Sequence, residues 1–581
     1  MDEELKLFQI DSYSRTEKYD HKKFTVEGIK KICLSLKSKK APGHDGITSE
    51  YFRYAGNNFL STLTNLYNRI SVLENVPGHF NIGVLVSIPK GEKDKCIRDN
   101  YRGITLLQTI RKIYEKAMLP ETNEWITDKY VIDNLQGANQ PHCSSIQTNW
   151  TIRETIAHYE ERAQTVYVCL LDAKKAFDSV WLNGLFYKMY KQGMNGKTWR
   201  ILQQLYTNCI CCVVAGNCAS RWFGSEQGIL QGAPYSMLKY QLNNNELIVL
   251  LKKSPDKLML GKTNVSCPTF ADDMTVMSLS KVSLQRQLDR VYSYSSKWRY
   301  LYNSQKCKVI IFGKDKSPSK MLMLGNNHID VVDGHDHVGT MLGSNDKVVT
   351  DYIRKRATVC KRPGHAIMGI GSQHAPVTPI TASKLYWSVC VPRLCYGIEM
   401  MAINGEAMDI MEAYHAEMAK TIQSLPVKSS NIGSCATAGW LPMTLYVDML
   451  SLMSLWRIML MPSSCIYKQI LLFRYCCYAL QAGVHRGPLS NMLTICSRYK
   501  LMDLVESALK GDIPVTKSRW ARIVKCKIWD KANLMYKVSL PLYKSLSNIR
   551  SSVATVRPHA WWMFAYNNPQ YTRICRIVCM G

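Results

Sequence analysis

No stretch of the 581 residues holds about 18 consecutive apolar residues, so none reads as a bilayer-spanning helix. The greasiest region, Leu445 to Leu480, is interrupted by Asp448, Arg457, Pro462, Lys468 and Arg474 and reads as buried helices. There is no internal repeat and no low-complexity tract, which leaves ordinary packed domains, three or four by length. With 46% hydrophobic residues the chain can bury sizeable cores. Acid is scarce: 45 Asp and Glu stand against 74 Lys and Arg, for a net charge of +29. Such an excess repels cationic surfaces and draws in polyphosphate, so nucleic acid leads the partner classes. The 21 cysteines lack metal-site order: Cys209, Cys211, Cys212 and Cys218 have no paired CxxC spacing and no His pair to complete them. Cys169, Cys476 and Cys477 sit in apolar stretches, where a reduced thiol acts as a small hydrophobe. The acidic start, Met1-Asp2-Glu3-Glu4-Leu5, is not a secretory leader, and an intracellular, reducing compartment is expected. His335 and His337, flanking Asp336, read as a polar turn.

Lys37 to Gly46 gathers turn-formers and three lysines into an exposed basic loop. Leu60, Leu63, Tyr67 and Ile70 then recur at helical spacing up to Pro77-Gly78. Strand-like runs follow at Val84 to Ile88 and Thr165 to Leu171, with a helical stretch around Ile110 to Met118 between them. Further strands are expected at Pro268 to Phe270, Met274 to Met277 and Lys308 to Phe312. Leu284, Leu288, Val291, Ser295 and Trp298 share a helical face, with Ser283 as the expected N-cap. Residues 80 to 315 therefore mix strands and helices in an α+β pattern, and from about 350 the pattern is helical. Residues 498 to 581 carry 15 Lys or Arg against 4 acids, interspersed with Trp520, Trp529, Trp561 and Trp562. Basic plus aromatic is the composition of a surface for single-stranded nucleic acid.

Two carboxylate sites carry the chemistry. Phe270-Ala271-Asp272-Asp273, between strand-like residues, puts two anions side by side at a hairpin tip, where they repel each other unless a cation neutralises them. Hard oxygen ligands at that density suit Mg²⁺. The second site is the apolar run Val166 to Leu171, which ends in Asp172, a carboxylate projecting from a rigid strand end. Two Mg²⁺ ions bridged by Asp172 and Asp272, with Asp273 completing the shell, would activate an attacking hydroxyl and stabilise a leaving oxygen. That is the arrangement for nucleotidyl transfer.

Asp172 to Val180 (DAKKAFDSV) resembles motif A of the reverse transcriptases of non-LTR (LINE-type) retrotransposons, and FADD resembles their motif C. Gly228 to Ser236, with Gln231-Gly232, looks like their motif B. Asn100 to Leu107, preceded by Ile88-Pro89-Lys90, resembles the fingers motif, and Lys39 to Phe52 the amino-terminal extension of these enzymes. Asn303 to Lys308 is similar to motif D, and Val338 to Gly343 to the segment leading into the thumb. Lys384, Tyr396-Gly397 and Glu399 resemble the thumb pattern. The resemblance spans about residues 25 to 460, with the blocks in order. It implies an α+β right-hand polymerase of fingers, palm with an antiparallel sheet and thumb, followed by a mostly helical C-terminal region. The divisions expected are a lead-in at 1–24, the polymerase domain at 25–345 (core motifs about 80–345), a helical thumb at 346–460 and a basic helical region at 461–581.

By the same resemblance Asp172, Asp272 and Asp273 are the catalytic metal carboxylates, for two Mg²⁺ ions or Mn²⁺ in their place. Lys90 and Arg102 reach the incoming triphosphate, where an ammonium and a bidentate guanidinium both fit. Phe177 lies under the sugar and excludes a 2′-hydroxyl; Gln231 and Gly232 shape the nucleotide pocket. Lys306 is the candidate general acid for the pyrophosphate. Asp178 orients its neighbours. The partners implied are an RNA template, a DNA primer and dNTPs, with no membrane, and the site of action is the nucleus. Departures stand beside this. Ser236 precedes Met237 where the family has Ser-Pro, Asn243-Asn244-Asn245 is unusually polar, and Gln136 to His142 lacks the family's aromatic and arginine. The alternative they leave open is a catalytically weak or inactive nucleic-acid-binding remnant. No apurinic-type endonuclease precedes the first motif and no CCHC knuckle is complete around Cys575 and Cys579, so a longer reading frame or a lost endonuclease is expected.

Overall fold

The computed structural model describes residues 23–567 apart from 92–93, 130, 142, 195, 217, 315–320, 370–376, 402, 481–484, 512–515 and 543–555. All but the last two residues of the expected lead-in, His142, and residues 568–581 with Cys575 and Cys579 lie outside the described residues.

Nine strands position the site: β1 (Ile82–Pro89), β2 (Tyr101–Leu107), β3 (Val166–Leu171), β4 (Ile210–Ala215), β5 (Thr269–Phe270), β6 (Asp273–Ser278), β7 (Lys308–Phe312), β8 (Leu322–Leu324) and β9 (Asn327–Val331). They form two mixed sheets. In one, β1 pairs antiparallel with β2 and parallel with β4, which two short strands extend. The other runs β8-β9-β7-β3-β6-β5, with β3 antiparallel to both β6 and β7. All six residues of β3 are buried, which is why this strand reads as an unbroken apolar run and not as an alternation.

Four helices frame this region: α1 (Thr109–Asp128), α2 (Ser145–Glu160), α3 (Ser236–Lys253) and α4 (Lys281–Lys297). Helix α1 starts where the periodicity places it but runs on through Pro120 to Asp128. Helix α4 buries Leu284, Leu288, Val291 and Ser295 as expected, but its N-cap is Ser280, whose hydroxyl accepts from the Ser283 N–H. Ser283 is thus the third residue of the first turn, the donor and not the cap. The helix Asn57–Leu73 buries Leu60, Leu63, Tyr67 and Ile70 and stops three residues before the expected Pro77, at Glu74 in the left-handed region.

The strand pattern extends past 315. Gly334–His337 pairs with Thr340–Gly343, so His335 and His337 lie on a strand and not in a polar turn. His337 is buried, and its Nε2 lies 2.8 Å from Thr275 Oγ1 in β6. Beyond Gly343 the described residues are helical. They include α5 (Asp346–Gly369), α6 (Pro379–Cys395), α7 (Gly405–Gln423), α8 (Met443–Met459), α9 (Ile466–Ala479) and α10 (Lys517–Ser539). Helices α5, α6 and α7 share one apolar core, whereas α8, α9 and α10 contribute to the core around β3, β6 and β7. Arg474 of α9 ties this region to α2, bonding Glu154 at 2.8 Å and Glu161 at 2.7 Å. The tryptophans expected to stack bases are largely internal: Trp520 and Trp562 are fully buried and Trp529 packs on the core. No described helix is long and apolar enough to cross a membrane.

Candidate active site

Strand register assembles the carboxylates. Leu171 of β3 pairs with Met274 of β6, and one further step of that ladder sets Asp172 level with Asp273. Residues opposite each other across an antiparallel pair point to the same face with Cβ atoms roughly 5 Å apart. Asp273 also pairs with Phe270, so Ala271 and Asp272 are the two loop residues of a tight hairpin. Ala271 has φ +59°, the geometry that a first loop residue of the mirror-image turn demands and that alanine adopts only under strain.

The electrostatics record the crowding. The Asp273 carboxyl is pushed up to about 7 by burial and then by the Asp272 and Asp172 charges. Asp272 is raised as well, by burial first and by Asp172, against a lowering influence from Arg102 and Lys306. Lys306 Nζ lies 3.4 Å from Asp172 Oδ2. Among the described residues no group of three or more His, Cys, Asp or Glu is drawn together tightly enough to enclose an ion as it stands. The donor set nevertheless fits a hard divalent cation: carboxylate oxygens alone, in one another's field, with burial and mutual repulsion raising two of the three above their usual range.

Because the folded pKa of Asp273 exceeds its usual value of 3.8, its contribution is complete in acid and is lost as pH rises through about 7. In chelator, Asp273→Asn should therefore raise the thermal midpoint at pH 8 by on the order of a few degrees. The gain should shrink toward pH 5, and millimolar Mg²⁺ should narrow it by stabilising the parent. A midpoint difference independent of pH would assign the carboxylates to separate surroundings.

The other expected residues converge from two directions. On the β1–β2 hairpin Ile88 pairs with Arg102, so Lys90 and Arg102 lie diagonally on one face, and Lys90 Nζ bonds the Asp99 carbonyl at 3.0 Å. Gln231 joins that hairpin to the Asp172 segment: its carbonyl accepts from the Thr105 N–H at 2.8 Å, and its Nε2 donates to Asp178 Oδ1 at 3.3 Å. Gly232 has φ +115°, and a Cβ there would meet the Thr105 carbonyl oxygen at 2.9 Å, so only glycine lets the two backbones approach. The Phe177 carbonyl accepts from the Ile229 N–H at 2.8 Å.

Two further residues of this neighbourhood were given no role by the sequence. Tyr240 stacks on Phe177, ring centroids 5.0 Å apart and 15° from parallel. Its phenol is held well above its usual range by burial, then by Asp272, Tyr300 and the other two carboxylates. Gln136 bonds the backbone of Ala271. Its partner lies 135 positions away, and no spacing rule links the two.

Residues 88–343 match the family described as "Reverse transcriptase (RNA-dependent DNA polymerase)". The chain is 26% identical over 302 residues to "RNA-directed DNA polymerase from mobile element jockey" of Drosophila funebris, covering 50% of this chain and 32% of that protein. It is 22% identical over 386 residues to "Probable RNA-directed DNA polymerase from transposon X-element" of Drosophila melanogaster, covering 64% of this chain and 41% of that protein. Among solved structures it is similar to apo telomerase from Candida Tropicalis, truncated from its C-terminal domain (TM-score 0.32, 14% identity, 50% of this chain and 59% of that one). The chain therefore spans well under half the length of these curated relatives. It carries a reverse transcriptase domain. Its similarity to the jockey, X-element and R2 proteins supports a domain of the non-LTR retrotransposon type.

Proposed function

We propose that the chain is the polymerase portion of a retrotransposon-type RNA-directed DNA polymerase, adding dNTPs to the 3′-hydroxyl of a DNA primer on an RNA template. One observation carries this: three carboxylates from β3 and the β5–β6 hairpin share one field, next to Arg102 and to the Gln231–Phe177 neighbourhood. The working division is fingers and palm over about 25–345, thumb at 346–460 and a basic helical region at 461–581. Asp172, Asp272 and Asp273 would hold two Mg²⁺ ions, which when bound supply an acidified hydroxyl and neutralise charge on the transferred phosphoryl group. Lys90 and Arg102 bind the triphosphate, Gln231 and Gly232 form the wall of the nucleotide pocket, and Lys306 passes a proton to the departing pyrophosphate. Purified protein with poly(rA)/oligo(dT), dTTP and Mg²⁺ should extend the primer; binding without extension under Mg²⁺ and Mn²⁺ alike would overturn the reading.

Phe177 is the residue that discriminates sugars in this proposal, and Tyr240 fixes its ring plane. Phe177→Ala should improve the use of rNTPs relative to dNTPs by about tenfold or more, the scale of one lost contact in a pocket. Unchanged sugar discrimination would return Phe177 to a packing role.

The second reading, a catalytically weak nucleic-acid-binding remnant, has its own observation. Helix α3, which follows Gln231-Gly232, buries Lys239, Gln241, Asn243, Asn244 and Asn245, and neither Lys239 Nζ nor Gln241 Oε1 has a hydrogen-bond partner. Such a burden weakens the element that backs the nucleotide pocket.

A further inference from the structure

The segment before α2 contains a side chain that the reaction as described does not use. Gln136 is 1% exposed, and its amide spans both backbone groups of one residue. Oε1 accepts from the Ala271 N–H at 2.8 Å, and Nε2 donates to the Ala271 carbonyl at 3.2 Å. Oε1 also accepts from the Ala138 N–H at 3.1 Å, which keeps the amide from rotating. The backbone beside it continues the sheet: Thr269 N–H donates to the Leu135 carbonyl at 2.9 Å, and Gly137 N–H to the Thr269 carbonyl at 2.8 Å. This segment is closely packed. A Cβ at Gly137 would stand 2.5 Å from Thr148 Oγ1 and 2.8 Å from the Tyr467 hydroxyl. From the other side Gln241 of α3 donates to the Ala138 carbonyl.

Ala271 is a residue that needs such a hold. It stands at φ +59° directly before Asp272, and a non-glycine residue persists there only when its surroundings over-determine it. A two-residue loop has no slack, so any relaxation of Ala271 swings Asp272 and changes the distance to Asp172. An amide suits the task because it offers one acceptor and one donor in the geometry of a peptide group.

We infer that Gln136 is a positioning residue for the metal carboxylates: by clamping Ala271 in the left-handed region it sets where Asp272 and Asp273 stand relative to Asp172. The inference rests on the proposed metal role of those three residues.

The test uses the full chain and Mn²⁺ as probe, with bound ion counted by electron paramagnetic resonance in the parent, Asp272→Asn, Gln136→Met and Gln136→Met/Ala271→Gly. Gln136→Met should weaken the Asp272-dependent Mn²⁺ site by about tenfold, the usual scale for loss of a group that orients a ligand. Primer–template affinity in chelator should stay within about twofold of the parent, since phosphate contacts carry it. Ala271→Gly should restore most of the lost Mn²⁺ affinity, because glycine takes φ +59° without help. A core-filling role would not be rescued that way. An Asp272-dependent Mn²⁺ site that Gln136→Met leaves within about twofold, even with a lower thermal midpoint, overturns the inference and leaves the metal reading standing. If the parent has no Asp272-dependent Mn²⁺ site, the metal reading fails and the clamp falls with it. Should the Met variant not fold, Gln136→Asn, an amide one methylene short of Ala271, is expected to give the same loss.

Discussion

Primer extension should fall roughly 10³-fold or more in Asp272→Asn, the scale on which preorganised charge at a reacting centre counts, while affinity for primer–template in chelator stays within about twofold of the parent. The two halves have separate causes. Asn is nearly isosteric with Asp but removes a formal charge from a set of three, weakening cation capture and the stabilisation of a transferring phosphoryl group. Binding rests instead on the excess of 74 cations over 45 acids, so it should weaken steeply as salt rises, with the same slope in both proteins. Misfolding is an unsuitable explanation for the loss. Asp272 is held above its usual range by burial and by Asp172, so a neutral residue there relieves repulsion in the ion-free protein. A parent that binds duplex and yet matches Asp272→Asn under every metal would favour the remnant.

The carboxylate half of this site was legible because its signals are local. An apolar run ending in Asp172 and a short hairpin bearing Asp272-Asp273 each announce a strand and its end, and the ladder Leu171–Met274 then brings them level. Gly232 reads in the sequence as part of a nucleotide pocket, whereas the close approach the structure shows is to the Thr105 backbone. What escaped depends on partners distant in sequence. Tyr240 looks like any residue of a helix until Phe177 is laid against it, 63 positions away. His337 follows Asp336 in a polar run, yet its strand pairing and Thr275 carry it inside. The tryptophans of α10 were misplaced because composition cannot separate a stacking surface from a buried stripe. Trp520, Val524, Ile528, Ala532 and Tyr536 recur every four residues and are all buried, which leaves the cations outside. Asn243 and Asn245 read as unusually polar, and the structure gives both work: Asn245 bonds Asp133 N at 2.7 Å and Val131 O at 2.6 Å, and Asn243 Oδ1 accepts from Lys188 Nζ at 3.2 Å.

Lys239 has no such partner, and Lys239→Met should stabilise the protein at neutral pH. The side chain is 0% exposed, Nζ makes no hydrogen bond, and the ammonium sits over the Tyr206 ring, 3.4 Å from the centroid. Glu115 faces it but is already held by Arg111 at 2.8 Å, so two buried cations share one carboxylate, with Cys209 close by. Burial therefore dominates and brings the Lys239 pKa from its usual 10.5 down to about 7. Since the folded value lies below the unfolded one, the stability is intact above pH 10.5 and is lost as pH falls toward about 7, with no further loss below it. Over that interval the penalty approaches about 4 kcal/mol, large beside the net stability of a domain. Methionine keeps the unbranched shape, leaves no charge to desolvate and places a polarisable sulfur near Tyr206. Thermal midpoints measured from pH 7 to pH 10 should show Lys239→Met well above the parent at pH 7, with the two curves converging at the alkaline end. Extension activity, if α3 is strained by this burial, should rise in the same variant. A parent more stable than Lys239→Met at pH 7 would mean that Glu115 binds both cations as a true ion triad, and the remnant reading would lose the main observation in its favour.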